Sequence, residues 1–167
     1  MGAKVTAVDF PEIAIKEDIK LSKKINIPVN FIEVDILDLK LNKEFDIVFS
    51  SYGAIGWLSD LNMWAKKFAT HLKKGGLFLL TEFHPFLELI KDNGYNYFYD
   101  SYPDIEIEKG SYTDGGLELT TKSYWWNHSL TDIFSVLKIN GLRFTHFEEF
   151  DYGPYLLEGM IEKEKGK

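Results

Sequence analysis

Apolar and polar positions along the first ninety residues alternate between two periods. "VTAV" (residues 5–8) is a short apolar run, and Pro11 then opens a segment with Ala14, Ile15, Ile19 and Ile25 on one loose stripe. Proline suits the first turn of a helix, where its missing N–H costs nothing. After Pro28, "VNFIEVD" (29–35) alternates as a strand does, and "FDIVFSS" (45–51) is the continuous β-favouring run of a strand covered on both faces. Ser59 and Asp60 then stand where a helix is capped. Leu61, Trp64, Ala65, Phe68 and Leu72 follow at helical spacing. "LKKGG" (72–76) places cations and glycine where that helix ends, and "LFLLTE" (77–82) is the next strand. Short alternating units of this kind predict an α/β fold: a Rossmann-like, doubly wound, mostly parallel sheet.

The rhythm breaks at residues 93–127, where Tyr95, Tyr97, Phe98, Tyr99, Tyr102, Tyr112, Tyr124, Trp125 and Trp126 crowd together. Turn signals fall at 102–104 and 114–116. We read an inserted β-hairpin or lid, an aromatic roof that can exclude water from a cleft. A helix over 129–140 and a strand over "LRFTHFEEF" (142–150) follow, and the charged tail "EKEKGK" reads as frayed.

Composition narrows the function classes. The chain has 167 residues, 45% of them hydrophobic, enough for one domain with a sizeable core. No apolar run is long enough to span a bilayer and no leader pattern opens the sequence, so a membrane is not expected as a partner. There is no cysteine, which excludes disulfides and thiolate chemistry and makes the cytoplasm the expected address. A net charge of −7 with a single arginine, Arg143, disfavours nucleic acid.

In such a sheet, ligands bind at the carboxyl ends of the strands. Asp9 ends one strand and can accept ribose hydroxyls or simply cap the helix at Pro11. Asp35 ends the next and can take an adenine amine, or sit in a surface turn. "SSYGAIGWL" (50–58) carries two glycines, which let a ligand approach the backbone or merely form a turn. Glu82 and His84 in "EFHP" stand at the cleft mouth as candidate general bases or substrate-orienting groups. His71 and His146 read as structural, and His128 as either. Metal ligation through His84, His128 and nearby acids lacks supporting spacing, so no metal is expected.

The ordered set "GAKVTAVDF", "EVDILDL", "FDIVFSSYGAIGWL" and "LKKGGLFLLTEFHPF" resembles the class I S-adenosylmethionine-dependent methyltransferase family over residues 2–86. "WWNHSLTDIFSVLKINGLRFTHFEEF" (125–150) is similar to that family's later helix and sixth strand. The resemblance implies S-adenosyl-L-methionine as cofactor, with Asp9 on the ribose and Phe10 packed on the adenine. It puts Asp35 and Ile36 at the adenine edge, and Ser50, Ser51 and Tyr52 near the methionine portion. It implies methyl transfer by proximity and orientation, His84 or Glu82 serving as base where the acceptor must lose a proton.

The family's first strand with its glycine-rich loop, and its last strand, have no counterpart in residues 1–167. The chain therefore reads as a single methyltransferase-like domain truncated at both ends, with exposed sheet edges that favour a homodimer. "SSYG" stands where relatives that methylate amino groups of bases carry an Asp-Pro-Pro-Tyr type loop, so a small-molecule methyl acceptor is expected rather than DNA. Two other readings stand beside this one: a non-catalytic remnant or partner subunit, and an NAD-dependent oxidoreductase, which the "LKKGG" turn and Asp35 fit poorly.

Overall fold

The computed structural model describes residues 2–89, 97–109 and 120–153. Its elements run β1 (Val5–Asp9), α1 (Glu12–Lys24), β2 (Val29–Glu33), β3 (Phe45–Ser51), a 3-10 turn (Ile55–Trp57) and α2 (Leu61–His71). They continue with β4 (Leu72–Thr81), a second 3-10 turn (Pro85–Leu89), β5 (Asp104–Lys109), β6 (Thr120–Trp125) and α3 (Leu130–Ile139). The strand expected at 45–51 forms at those limits. The helix begun by Pro11 and the one begun at Ser129 form too, Ser129 closing a reciprocal capping box with Asp132.

β1 and β2 pair in parallel, Val5 opposite Val29 through Asp9 opposite Glu33. β3 and β4 also pair in parallel, Ser51 standing opposite Thr81. This is the mixed α/β, parallel-stranded fold expected from the pattern. Among the described residues, no ladder joins one pair to the other. The aromatic stretch contributes an antiparallel hairpin, β5 on β6. The turn expected at 114–116, Tyr95, Tyr112 and the charged tail lie outside the described residues.

Two expectations are corrected. α2 ends at His71 and β4 begins at once at Leu72, so the 73–76 segment belongs to the strand rather than to a connecting turn. Leu72 already pairs with Phe45, and an irregularity before Ile47 absorbs the extra residues. Residues 142–150 form no strand. A strand needs a free neighbouring edge, and here the aromatics of the segment pack on α3 instead: Phe134 meets Phe144 at 4.6 Å and Phe147 at 5.2 Å between ring centres.

The core lies between α2, α3 and one face of β3–β4. Trp64 and Ala65 are fully enclosed, joined by Ile55, Leu58, Leu61, Phe68, Ile133 and Leu137, with Val48, Phe78 and Leu80 facing them from the sheet. Three rings interlock at its centre, Trp64 lying 5.0 Å from Phe68 and 5.8 Å from Phe78. The same helix reaches the first strand pair. Ile36 and Leu37, just past β2, pack against the cluster. The Lys67 ammonium donates to the Leu39 carbonyl at 3.0 Å, and the Leu41 N–H donates to His71 Nε2 at 3.1 Å. His71 is therefore structural and buried, a brace under the 39–41 segment.

Candidate functional site

The carboxyl ends of the strands carry the predicted residues. Asp9 closes β1, and its Oδ1 accepts the Phe10 N–H at 2.7 Å, so it is not tied up in a helix cap; α1 has no side-chain cap. The Phe10 ring is 69% exposed. Asp35, just past β2, bends back so that Oδ1 accepts the Leu37 N–H at 2.8 Å. Ile36 turns its side chain toward the core, leaving its backbone as the part that can read a ligand. Ser50 is buried, whereas Ser51 and Tyr52 at the end of β3 are exposed.

The loop after β3 is held by an acid from the neighbouring strand. Because Ser51 stands opposite Thr81, the last residue of β4, the residue that follows, Glu82, lies beside the turn. Its carboxylate accepts N–H bonds from Gly53, from Ala54 at 2.9 Å and from Ile55 at 3.2 Å, and from its own neighbour Phe83 at 2.9 Å. Both oxygens are engaged by the backbone, so Glu82 is built as a clamp on the loop. Gly53 takes φ +74°, a left-handed conformation that a side chain would strain.

His84 sits two residues on. Its Nδ1 accepts the Phe86 N–H at 3.0 Å, and its Nε2–H donates to Glu149 Oε1 at 2.7 Å. Both ring nitrogens are thus in use, and the contact to Glu149 anchors the extended 142–150 segment over the end of β4.

A slot opens here, lined by Ile55, Gly56, Glu82, Phe83, His84 and Pro85 from one side and by residues 125–128 from the other. The hairpin reaches it through backbone and ring contacts. The Trp126 N–H donates to the Gly56 carbonyl at 2.8 Å, and Trp125 meets Trp57 edge-on at 5.4 Å. The Trp125 ring lies so close to Gly56 that a Cβ there would stand 2.2 Å from it, so the contact requires glycine. Sequence reading took Gly56 only as one of two loop glycines open to a ligand or a turn, and gave Asn127 no role. The two glycines of "SSYGAIGWL" were the available signal for Gly56, and the partner ring, 69 positions away in sequence, was not.

His128 is buried at the back of the slot. Nε2 bonds to the Leu58 carbonyl at 2.8 Å, and the ring stacks on Tyr99 at 5.4 Å. Burial pushes its pKa below the ordinary 6.5, and the Leu58 carbonyl and the Asp132 carboxylate only partly oppose that. The folded chain therefore binds this proton less readily than the unfolded chain. Stability contributed by neutral His128 is fully present above about pH 6.5 and declines as pH falls toward the lower folded value. Urea midpoints measured from pH 7.5 down to 5 are expected to fall, and to fall less in His128→Asn; equal slopes would exclude this histidine as the source.

The family model described as "Methyltransferase domain" matches residues 1–76. Among solved structures, a S-adenosylmethionine-dependent methyltransferase from Clostridium acetobutylicum ATCC 824 superposes with a TM-score of 0.64 at 18% identity, over 83% of this chain and 63% of that one. The CcbJ methyltransferase from Streptomyces caelestis gives 0.63 at 13% identity, over 84% and 64%. The glycopeptide N-methyltransferase MtfA complexed with (S)-adenosyl-L-methionine gives 0.56 at 16%, over 84% and 62%. No curated protein matches the chain at a significant level. The chain spans less than two thirds of the length of each of these three structures.

The domain match covers less than half of the chain, and the likeness to these structures shows a shared fold, the fold that the sequence resemblance implied. No described helix is long and apolar enough to cross a membrane.

Proposed function

We propose that the chain forms the core of a methyltransferase that uses S-adenosyl-L-methionine to methylate a small molecule. The observation that carries this reading is the set of groups at the carboxyl ends of two parallel strand pairs: Asp9 and Asp35 on one, the clamped 51–55 loop on the other.

The residues fit that cofactor. Asp9 spends Oδ1 on Phe10 N–H, which leaves Oδ2 for a ribose hydroxyl, and the exposed Phe10 ring offers a face to an adenine. Asp35 and the Ile36 backbone would read the adenine edge. Ser51 and Tyr52, with the Gly53 turn, would line the methionine portion, buried Ser50 lying behind them. When bound, the cofactor supplies an activated methyl group on a sulfonium, so alignment of the acceptor is the protein's main task. In this reading Glu82 is a positioning residue. His84 takes a proton where the acceptor must lose one, its Nδ1 exchanging the Phe86 N–H for the acceptor while Glu149 steadies Nε2.

Calorimetric titration with S-adenosylhomocysteine is expected to give a saturable heat. A folded sample that gives none would sink the enzyme reading in favour of a non-catalytic partner subunit, and NAD binding in its place would point to an oxidoreductase.

The same proposal includes a homodimer in a cytoplasmic setting. Ile47, Phe49, Leu77 and Leu79 leave the outer face of β3–β4 apolar and exposed. Light scattering is expected to give twice the 19.3 kDa chain mass, and a monomeric mass would remove the dimer.

A further inference from the structure

α2 has a second face besides the one it buries in the core. Met63, Lys66, Lys67 and Thr70 recur along it at helical spacing. Between this face and residues 39–41 lies a groove of about 330 Å³, within the range of roughly 300–1,000 Å³ that takes small ligands. Asp9, Asp35 and the 51–55 loop are not part of its lining.

The chemistry of the groove runs against the composition of the chain. Acids outnumber Lys and Arg by 26 to 19, yet Lys40, Lys66 and Lys67 line the groove and, among the described residues, no Asp or Glu does. Lys16 and Lys73 each sit on an acid, Glu12 at 2.6 Å and Asp46 at 2.8 Å. Lys40 and Lys66 have no such partner among the described residues. Half-buried Lys67 spends one N–H on the Leu39 carbonyl, which holds its ammonium at the groove and leaves two donors to use. His71 has both ring nitrogens occupied, its Nδ1–H donating to the Lys67 carbonyl at 2.7 Å and its Nε2 accepting from Leu41. Leu39, Leu41 and Met63 supply an apolar wall.

Lysines gathered around one cavity repel one another, and an anion among them relieves that repulsion while attracting each. Lysine binds phosphate as a point charge, and no arginine is among the described lining residues to grip a carboxylate bidentately. We propose that this groove is a second ligand site, for a small phosphate monoester on a short apolar body. The phosphate lies among the three lysines and the body along Leu39, Leu41 and Met63. One wall belongs to α2 and the other to the 39–41 segment, so the ligand binds only the state in which the two are docked, and stabilises it. A net charge of −7 opposes an anionic bilayer, so the ligand is a free molecule rather than a lipid headgroup.

Calorimetric titration of the full chain at low salt with hexyl phosphate, inorganic phosphate, hexanoate and hexylammonium tests this, with the ¹³C-methyl signal of Met63 as a local reporter. Hexyl phosphate is expected to bind at least about tenfold more tightly than each of the others, to shift the Met63 signal with the same affinity, and to raise the urea midpoint. Lys40→Gln and Lys66→Gln, both at exposed positions, are each expected to weaken it about three- to tenfold. Lys24→Gln, on α1, is expected to leave it unchanged. Hexylammonium or hexanoate binding as tightly as hexyl phosphate overturns the proposal. So does saturable heat without movement of the Met63 signal, or unaltered affinity in the folded double variant K40Q/K66Q. Should that variant not fold, the ranking of the probes and the Met63 signal on the parent chain decide. Capture by hexaglutamate or by phosphatidate vesicles, with no binding of hexyl phosphate, would make the groove a macromolecular contact and overturn the small-ligand assignment.

Discussion

Replacing Glu82 with alanine is expected to abolish S-adenosylhomocysteine binding and to lower the unfolding free energy by about 2–4 kcal/mol, because four backbone N–H groups lose a shared acceptor. Each bond from an N–H to a charged oxygen contributes roughly 1.5–3 kcal/mol. The four share one carboxylate, however, and water can enter the half-buried site, so they do not add in full. Glu82→Gln is the informative companion. It keeps the shape but turns an NH₂ toward N–H donors, so it is expected to behave much more like alanine than like glutamate. Were Glu82 instead a free base, the glutamine variant would keep the wild-type urea midpoint and lose only turnover. Denaturation midpoints together with calorimetry separate the two.

Trp64→Ala is expected to be the most damaging single substitution, at about 3–5 kcal/mol. The side chain is 1% exposed and touches both Phe68 on its own helix and Phe78 on β4, so its removal empties the joint between helix and sheet. A domain of this size holds roughly 5–15 kcal/mol in total, so the variant should be largely unfolded at 37 °C. Trp64→Phe keeps an aromatic ring against both partners and is expected to lose clearly less. Equal midpoints for the alanine variant and the parent in urea would mean that the core is centred elsewhere.

Much of this architecture was written locally. The β3 run was legible from end to end as an unbroken apolar stretch, although the structure covers only one of its faces and leaves Ile47 and Phe49 exposed on the other; α3 was legible as a helix from Ser129, its capping box with Asp132 being seen only in the structure. The strand-end acids were legible for the same reason: each follows its own apolar run. What escaped depended on partners distant in sequence. Glu82 looked like a candidate base because nothing local says that the register of β4 on β3 sets it beside the 53–55 backbone. Residues 142–150 carry a good strand composition, yet strand formation is decided by a neighbouring edge, and Phe144 and Phe147 found α3 instead. Gly56 and Asn127 gained meaning only when the hairpin folded back onto the 3-10 turn.

The support that α2 gives to residues 36–41 has a mechanical consequence. Among the described residues no ladder hydrogen bonds link β1–β2 to β3–β4, so the spacing between the acids Asp9 and Asp35 and the 51–55 loop is set by one helix, through Lys67, His71 and the packing of Ile36 and Leu37. A molecule gripping Asp9 at one end and the Gly53 turn at the other would serve as a second strut across that joint. Part of its intrinsic affinity would go into alignment, and the aligned state would in turn resist unfolding more than either half alone.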